Sequence, residues 1–297
     1  MTDTADTGHT TVLISPAMGV PARVYRRLID ALGAQGFDAV VVARRGIEEG
    51  SVPPSRTTDW GYADEAADLA DAVARSRADA AHTETTHTET THTETTRTWV
   101  LVIGHSLGAQ LAAQVAQTAD RTPADHTPDG IVAVGASVPW FGHYGLRGVP
   151  LGAVAAAVPP VSGIVGHWPR QGFGGPTPRT LMREWAHMVL TGRAPFALDG
   201  SIETPTLSIR LDDDEIVTDA AARAFDAAFA PDALTHWRYD NTQCPPGGNT
   251  SHVGWVRTPE TIAQRIAEWW NAELWNATGR PAAGPERTSA SEISGQG

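Results

Sequence analysis

A hydrophobic run, a glycine-framed serine and an alanine-rich stretch follow one another without a gap in TWVLVIGHSLGAQLAAQVAQ, residues 98–117. The first seven residues read as a buried strand and the last eleven as a helix. Turning the chain from strand to helix within Gly104-His105-Ser106-Leu107-Gly108 demands a tight turn. Glycine is needed at its two ends, where a side chain would collide with the neighbouring backbone. Such a turn makes the serine protrude and aims the first amides of the helix at charge developing beside it. The five-residue pattern alone is weak. In a strand–turn–helix setting it marks Ser106 as a candidate nucleophile.

The rest of the chain repeats the same alternation. Strands are predicted at 11–15, 37–43, 98–104, 130–136, 205–211 and 233–239. Helices are predicted at 21–36, 59–78, 107–117, 178–190, 218–230 and 259–270. Strands with fully apolar cores, separated by helices, imply a mostly parallel, doubly wound α/β sheet covered on both faces. The rhythm breaks once, between 137 and 203, where Gly, Pro and aromatic residues accumulate. The expected organisation is therefore a disordered start (1–9), a first core part (10–136) with a low-complexity loop at 79–97, an insertion after the fourth strand (137–203), a second core part (204–275) and a disordered tail (276–297).

Composition removes several chemistries. All 22 basic residues are arginine, so no catalysis that needs a lysine amine is available. A net charge of −12 argues against a nucleic-acid partner. Cys244 is the only cysteine, which excludes an intrachain disulfide and any CxxC pair. The N-terminus lacks the basic start and apolar core of a secretory signal. VPLGAVAAAVPPV reads as too short and too rich in Ala and Pro to span a bilayer. A cytoplasmic protein with no membrane span is the expectation.

The conspicuous part of the chain is a threefold HTETT repeat at 82–96. Its histidines, His82, His87 and His92, would lie about 140° apart on a helix and alternate faces on a strand. Neither geometry gathers metal ligands, and a Thr separates each His from its Glu, unlike the zincin order. The abundance of Thr disfavours a helix. The repeat is read as a solvated loop expansion, with no metal and no cofactor expected.

With GHSLG in its strand–turn–helix context, the chain resembles the α/β-hydrolase superfamily from about residue 10 to 275. That resemblance implies a chain order of serine, acid, histidine. LDDDEIVTD looks like the family's acid segment, and aligning Ile216-Val217 places the acid at Asp214. Asp213 is the second candidate, and Asp212 reads as a turn carboxylate. The histidine loop before the last helix supplies His252, within NTSHVGW. The resemblance further implies an oxyanion hole from the amide of Leu107 and one from the loop after the first strand. That loop is SPAMGVPARVYRRL, without the family's usual His-Gly. Counting back from the helix puts Met18 at the donor position, with Ala17 beside it. The segment PAMGVPARVYRRLIDALGAQGFDAVVVARRG is similar to bacterial hydrolases labelled serine-aminopeptidase-like or lysophospholipase-like. Only about ten residues precede the first strand, so the hairpin that usually opens the fold is expected to be missing or shortened.

The insertion sits where this family carries its lid. Its aromatics imply an apolar inner face, and Trp140, Trp168 and Trp185 are candidate substrate contacts, together with Ala17 and His105 beside the loop and the nucleophile. The implied function is a serine hydrolase acting on an ester, thioester or small amide with an apolar or aromatic part. Acyl transfer by the same triad and a catalytically silent binding protein are the alternatives.

Overall fold

The computed structural model describes residues 9–87, 98–118, 123–169 and 175–278, with backbone only from 81 to 87. In chain order the elements are β1 (Thr10–Ser15), α1 (Arg26–Gly33), β2 (Asp38–Val41), α2 (Tyr62–His87), β3 (Trp99–His105), α3 (Leu107–Gln117), β4 (Gly130–Val134), α4 (Gly148–Val165), β5 (His167–Trp168), β6 (Thr177–Pro178), α5 (Arg179–Thr191), β7 (Thr206–Leu211), α6 (Asp219–Asp226), β8 (Leu234–Tyr239) and α7 (Glu260–Thr278). Six of the strands form one sheet in the order β2-β1-β3-β4-β7-β8, and every neighbouring pair is parallel. Each connection must therefore cross back over a face of the sheet, which is why helices cover both sides.

The period-two alternation of strand side chains divides the core in two. Val12, Ile14, Leu101, Ile103, Val132 and Val134 pack with the apolar sides of α1 and α7. Leu13, Val100, Val102, Ile131 and Ala133 point the other way, onto α2, α3 and residues of α6. Register sets the height of the strand ends. Ser15 lies beside Gly104, and Gly104 beside Ala133, so the carboxyl ends of β1, β3 and β4 finish level with one another.

Several predicted boundaries move, each for a local reason. The edge strand β2 is only four residues long and leaves Val40 half exposed. The strand expected over 130–136 stops at Val134 because Gly135 turns to φ +57°. The helix expected over 21–36 begins as a 3-10 turn, Ala22–Tyr25, before α1 starts. The last helix continues to Thr278, so the tail predicted from 276 begins inside it, and residues 279–297 lie outside the described residues.

Two corrections are larger. The loop predicted over 79–97 is helix as far as His87. Extending an existing helix adds one hydrogen bond per residue fixed, so the modest penalty of each Thr is tolerated after the good helix formers Ala80 and Ala81. The remainder of the repeat, with its side chains, lies outside the described residues.

The insertion between β4 and β7 holds two helices where one was predicted. The second, α5, matches the expectation for 178–190, but α4, with Pro159 and Pro160 inside it, falls in the stretch expected to be irregular from its Gly, Pro and aromatic content. Packing against α5 offsets the roughly 3 kcal/mol that an interior proline costs a helix. With the 3-10 segment before it, this stretch runs from Phe141 to Val165, 25 residues with a mean hydropathy of 1.6 in its most apolar window. By length and composition it could cross a membrane, so the reading of VPLGAVAAAVPPV as too short is corrected. The antiparallel pair β5–β6 joins the two helices. Polar contacts anchor α5 to the core: Asp59 accepts from Thr180 and Arg179, and Glu184 accepts the amide of Tyr62 at 2.7 Å. Residues 170–174 of the insertion, Arg170 and Phe173 among them, lie outside the described residues.

Candidate active site

The turn after β3 leaves no room for side chains at either glycine. A Cβ on Gly108 would stand 1.9 Å from the carbonyl oxygen of Ser15, and one on Gly104 would stand 2.4 Å from Cα of Ala109. Between them Ser106 adopts φ 54° and ψ −112°, the one positive φ of a non-glycine among the described residues. Backbone in this region costs on the order of 1–3 kcal/mol and persists only where its surroundings enforce it. Here the two glycines allow the turn, and the Ser106 amide is tied to the carbonyl of Val134 at 2.9 Å. Ser106 is half-buried and sits at the N-cap of α3.

Of the three aspartates after β7, each does something different. Asp214 Oδ2 lies 2.8 Å from His252 Nδ1, and both side chains are 4% exposed. Its other oxygen accepts the amides of Ile216 and Val217 at 2.9 and 2.8 Å, which fixes the carboxylate plane. Asp213 instead accepts from Asn241 and Thr250 and so holds the histidine loop in shape. Asp212 is an exposed partner of Arg238. Gly135, with φ +57°, has no Cβ to collide here: one would stand 3.2 Å from Asp214 Oδ2 and from two atoms of the His252 ring.

His105 is fully buried behind the nucleophile and faces neither solvent nor an open pocket. Its Nε2 is 2.8 Å from the carbonyl oxygen of His252, and a carbonyl only accepts, so Nε2 carries the proton. Nδ1 is then the acceptor and receives Tyr25 O–H at 2.8 Å. Tyr25 Oη in turn accepts the amide of Ala17 at 2.9 Å. Burial keeps the Tyr25 hydroxyl protonated. Burial, with a smaller contribution from the neighbouring His252, pushes the His105 imidazole down to about 3. Every bond direction in this chain is therefore fixed across the neutral range.

That depression has a measurable consequence. Between about 6.5 and about 3 the unfolded chain protonates this histidine and the native one does not. Native stability contributed by His105 is whole above pH 6.5 and falls by about 1.4 kcal/mol per pH unit below it. Denaturant unfolding at pH 7 and pH 5 is expected to show a steeper acid loss in the native chain than in His105→Asn. Equal slopes would count against it.

The loop after β1 is pinned from both sides. The Pro16 carbonyl accepts Arg44 Nη1 at 3.0 Å, and the other half of the same peptide group, Ala17 N–H, donates to Tyr25. The next peptide group has its oxygen engaged by the amide of Val20 at 3.2 Å. Its N–H, that of Met18, meets no acceptor among the described residues, and neither does the amide of Leu107. Ala17 N–H is thus committed elsewhere, whereas the amides of Met18 and Leu107 are without an acceptor among the described residues. Arg44 is itself buried and paired with buried Glu65, and burial lowers its guanidinium to about 10, still charged at neutral pH.

The candidate aromatic contacts are dispersed. Trp168 and Trp185 are buried in the cluster that also contains Leu107 and Met182, and the side chain of Met18 packs against the same cluster. Trp140 is more than one-third exposed and stacks edge-on with Phe141 and His143. Tyr144 lies within the electrostatic reach of Asp214. Its hydroxyl bonds Ser137, and burial together with the charge of Asp214 pushes it up to about 12. Sequence reasoning gave no individual role to Tyr144, Tyr25 or Arg44. The partners of Tyr25 and Arg44 lie 80 and 28 residues away, so no local pattern announces them.

Comparison with known proteins adds the following. A sequence model described as the alpha/beta hydrolase family matches residues 12–280. No curated protein sequence matches the chain. Among solved structures, a soluble variant of monoglyceride lipase from Saccharomyces cerevisiae superposes with a TM-score of 0.61 at 12% identity, covering 90% of this chain and 87% of its own. The pyrethroid hydrolase PytH gives 0.53 at 16% identity, with 90% and 99% covered. The type II thioesterase BorB of the borrelidin biosynthetic cluster gives 0.51 at 18% identity, with 88% and 92% covered. At these identities the likeness is one of fold.

Proposed function

Since the chain belongs to the alpha/beta hydrolase family, we propose that it is a serine hydrolase that cleaves an ester or thioester through an acyl-enzyme on Ser106. The observation that carries this reading is the buried Asp214–His252 pair, 2.8 Å apart, at the same edge of the sheet as a serine held at positive φ. In this mechanism Ser106 Oγ attacks the substrate carbonyl carbon while His252 Nε2 takes its proton. The tetrahedral oxyanion is met by the amides of Leu107 and Met18. Collapse expels the leaving alkoxide or thiolate, which receives the proton from His252. Water then repeats the sequence on the acyl-enzyme and releases the carboxylic acid. Asp214 holds Nδ1–H and stabilises the imidazolium without itself becoming protonated.

The insertion between β4 and β7 acts as the lid in this reading, and the Met18 side chain with the cluster around Leu107 supports an apolar acyl group. The test is labelling of the full chain with a fluorophosphonate probe. Labelling is expected on the native chain and absent on Ser106→Ala with the same melting temperature. A folded native chain that stays unlabelled would end the proposal.

The chain Ala17–Tyr25–His105–His252 is expected to matter through position rather than chemistry. Tyr25→Phe removes the acceptor of one buried amide and the donor to His105. Stability should fall by about 1–3 kcal/mol. With a short soluble ester, kcat should fall about tenfold with KM nearly unchanged, because a displaced Met18 amide weakens the transition state more than the ground state. A rise in KM at constant kcat would instead assign Tyr25 to substrate binding.

A further inference from the structure

The outer face of α4 carries no charge, and nothing in the described chain covers it. Across Gly148–Val165 there is no charged side chain. The helix is held along one stripe, where Ala155, Val158 and Ser162 are buried. The opposite side is apolar and open. Val149 is 67% exposed and Ile164 73%, and Leu146, just before the helix, is 91% exposed. Single exposed apolar residues are ordinary on a protein surface, but a five-turn face without a polar side chain is not.

The charges around this face favour one occupant. Arg147 stands exposed at its start. Arg56 bonds the carbonyl of Ile164 at its end, and Arg183 bonds that of Pro159 along its side. No carboxylate lies anywhere in Phe141–Val165. A second copy docked on this face would set cations against cations: Arg147 meets Arg56 in an antiparallel pairing and its own counterpart in a parallel one. An anionic lipid surface satisfies both ends at once and takes up the apolar ridge between them. The chain as a whole carries −12, so attraction to such a surface has to come from a local cluster of arginines like this one.

We infer that α4 is an interfacial helix that lies flat on an anionic lipid–water boundary and docks the protein there by its insertion. Because α4 is held against the protein along its buried stripe, it lies in the plane of the boundary, with Val149 and Ile164 in the acyl region and the arginines at headgroup level. This does not rest on the acyl-enzyme reading, since Ser106→Ala must dock as the native chain does.

The test is co-sedimentation of the full chain with vesicles of phosphatidylcholine alone and of phosphatidylcholine mixed with phosphatidylglycerol. Binding is expected to the mixed vesicles, weaker on pure phosphatidylcholine and weaker again at high salt. The double variant Val149→Asp with Ile164→Asp should lower partitioning by about tenfold or more at an unchanged melting temperature. Arg147→Glu, a change at a solvent-exposed site, should weaken binding to the anionic vesicles only. The inference is overturned if the native chain stays in the supernatant with both vesicles, or if the variants bind as well as the native chain. A native dimer in analytical ultracentrifugation that the Asp pair dissolves would equally overturn it, by assigning the face to a second copy.

Discussion

Asp214→Asn is expected to lower kcat by about four orders of magnitude while leaving the fold intact. The carboxylate is buried, bonded to His252 Nδ1 at 2.8 Å and fixed by two backbone amides. An amide can present its NH₂ group to Nδ1, which reverses the tautomer and leaves Nε2 protonated, unable to take a proton from the serine. The imidazolium formed during attack also loses its counter-charge. The control is in the sequence itself, because Asp213 and Asp212 are adjacent and chemically identical. Asp213→Asn keeps an oxygen for Thr250 and should cost less than about tenfold. Asp212→Asn removes only an exposed pairing with Arg238 and should be silent. Single-turnover rates with an activated ester, measured for all three variants, separate them. Equal losses at Asp213 and Asp214 would remove the specific role of the latter.

Breaking the Arg44–Glu65 pair is the second large effect. Both side chains are about 5% exposed, so deleting either partner strands a charge in the interior, and Arg44→Met alone should cost about 3–5 kcal/mol of unfolding free energy. The double variant Arg44→Met with Glu65→Leu removes both charges and should recover much of that loss. It cannot recover the bond from Arg44 to the Pro16 carbonyl or the acceptor of the Trp60 indole N–H. Recovery of stability without recovery of kcat is therefore expected in the double variant, read by denaturant titration beside turnover. Full recovery of both would show that the pinned Pro16–Ala17 peptide group contributes nothing to catalysis.

The parts of this chain that could be read in advance are those whose cause is local or periodic. Central strands are buried on two faces and appear as unbroken apolar runs, whereas β2 at the edge was overestimated at both ends. The acid is expected at Asp214 from the neighbouring Ile216 and Val217, and their amides bond the Asp214 carboxylate, so this stretch of sequence records a local turn. His105 was placed with the candidate substrate contacts because of its neighbour Ser106, and only the fold shows it facing inward to Tyr25 and His252. What was illegible depends on partners distant in sequence. Nothing near Tyr25 or Arg44 distinguishes them from other residues of their segments. In α4, two prolines concealed a helix that tertiary packing sustains, and in α2 the Thr-rich repeat concealed a helix that simply continues.

The face of the sheet covered by α1 and α7 has a temporal consequence. It is built from opposite ends of the described chain, and the indole N–H of Trp270 on α7 reaches back to the hydroxyl of Thr10 on β1. During synthesis the first strands emerge with only α1 to cover that face, and the rest of it stays bare until α7 leaves the ribosome. His252 lies only eight residues before α7, so the proposed base and the closing helix arrive together. A nascent chain without them has the proposed nucleophile but neither the proposed base nor a finished core, so on that proposal catalytic competence is acquired in the same step as structural completion.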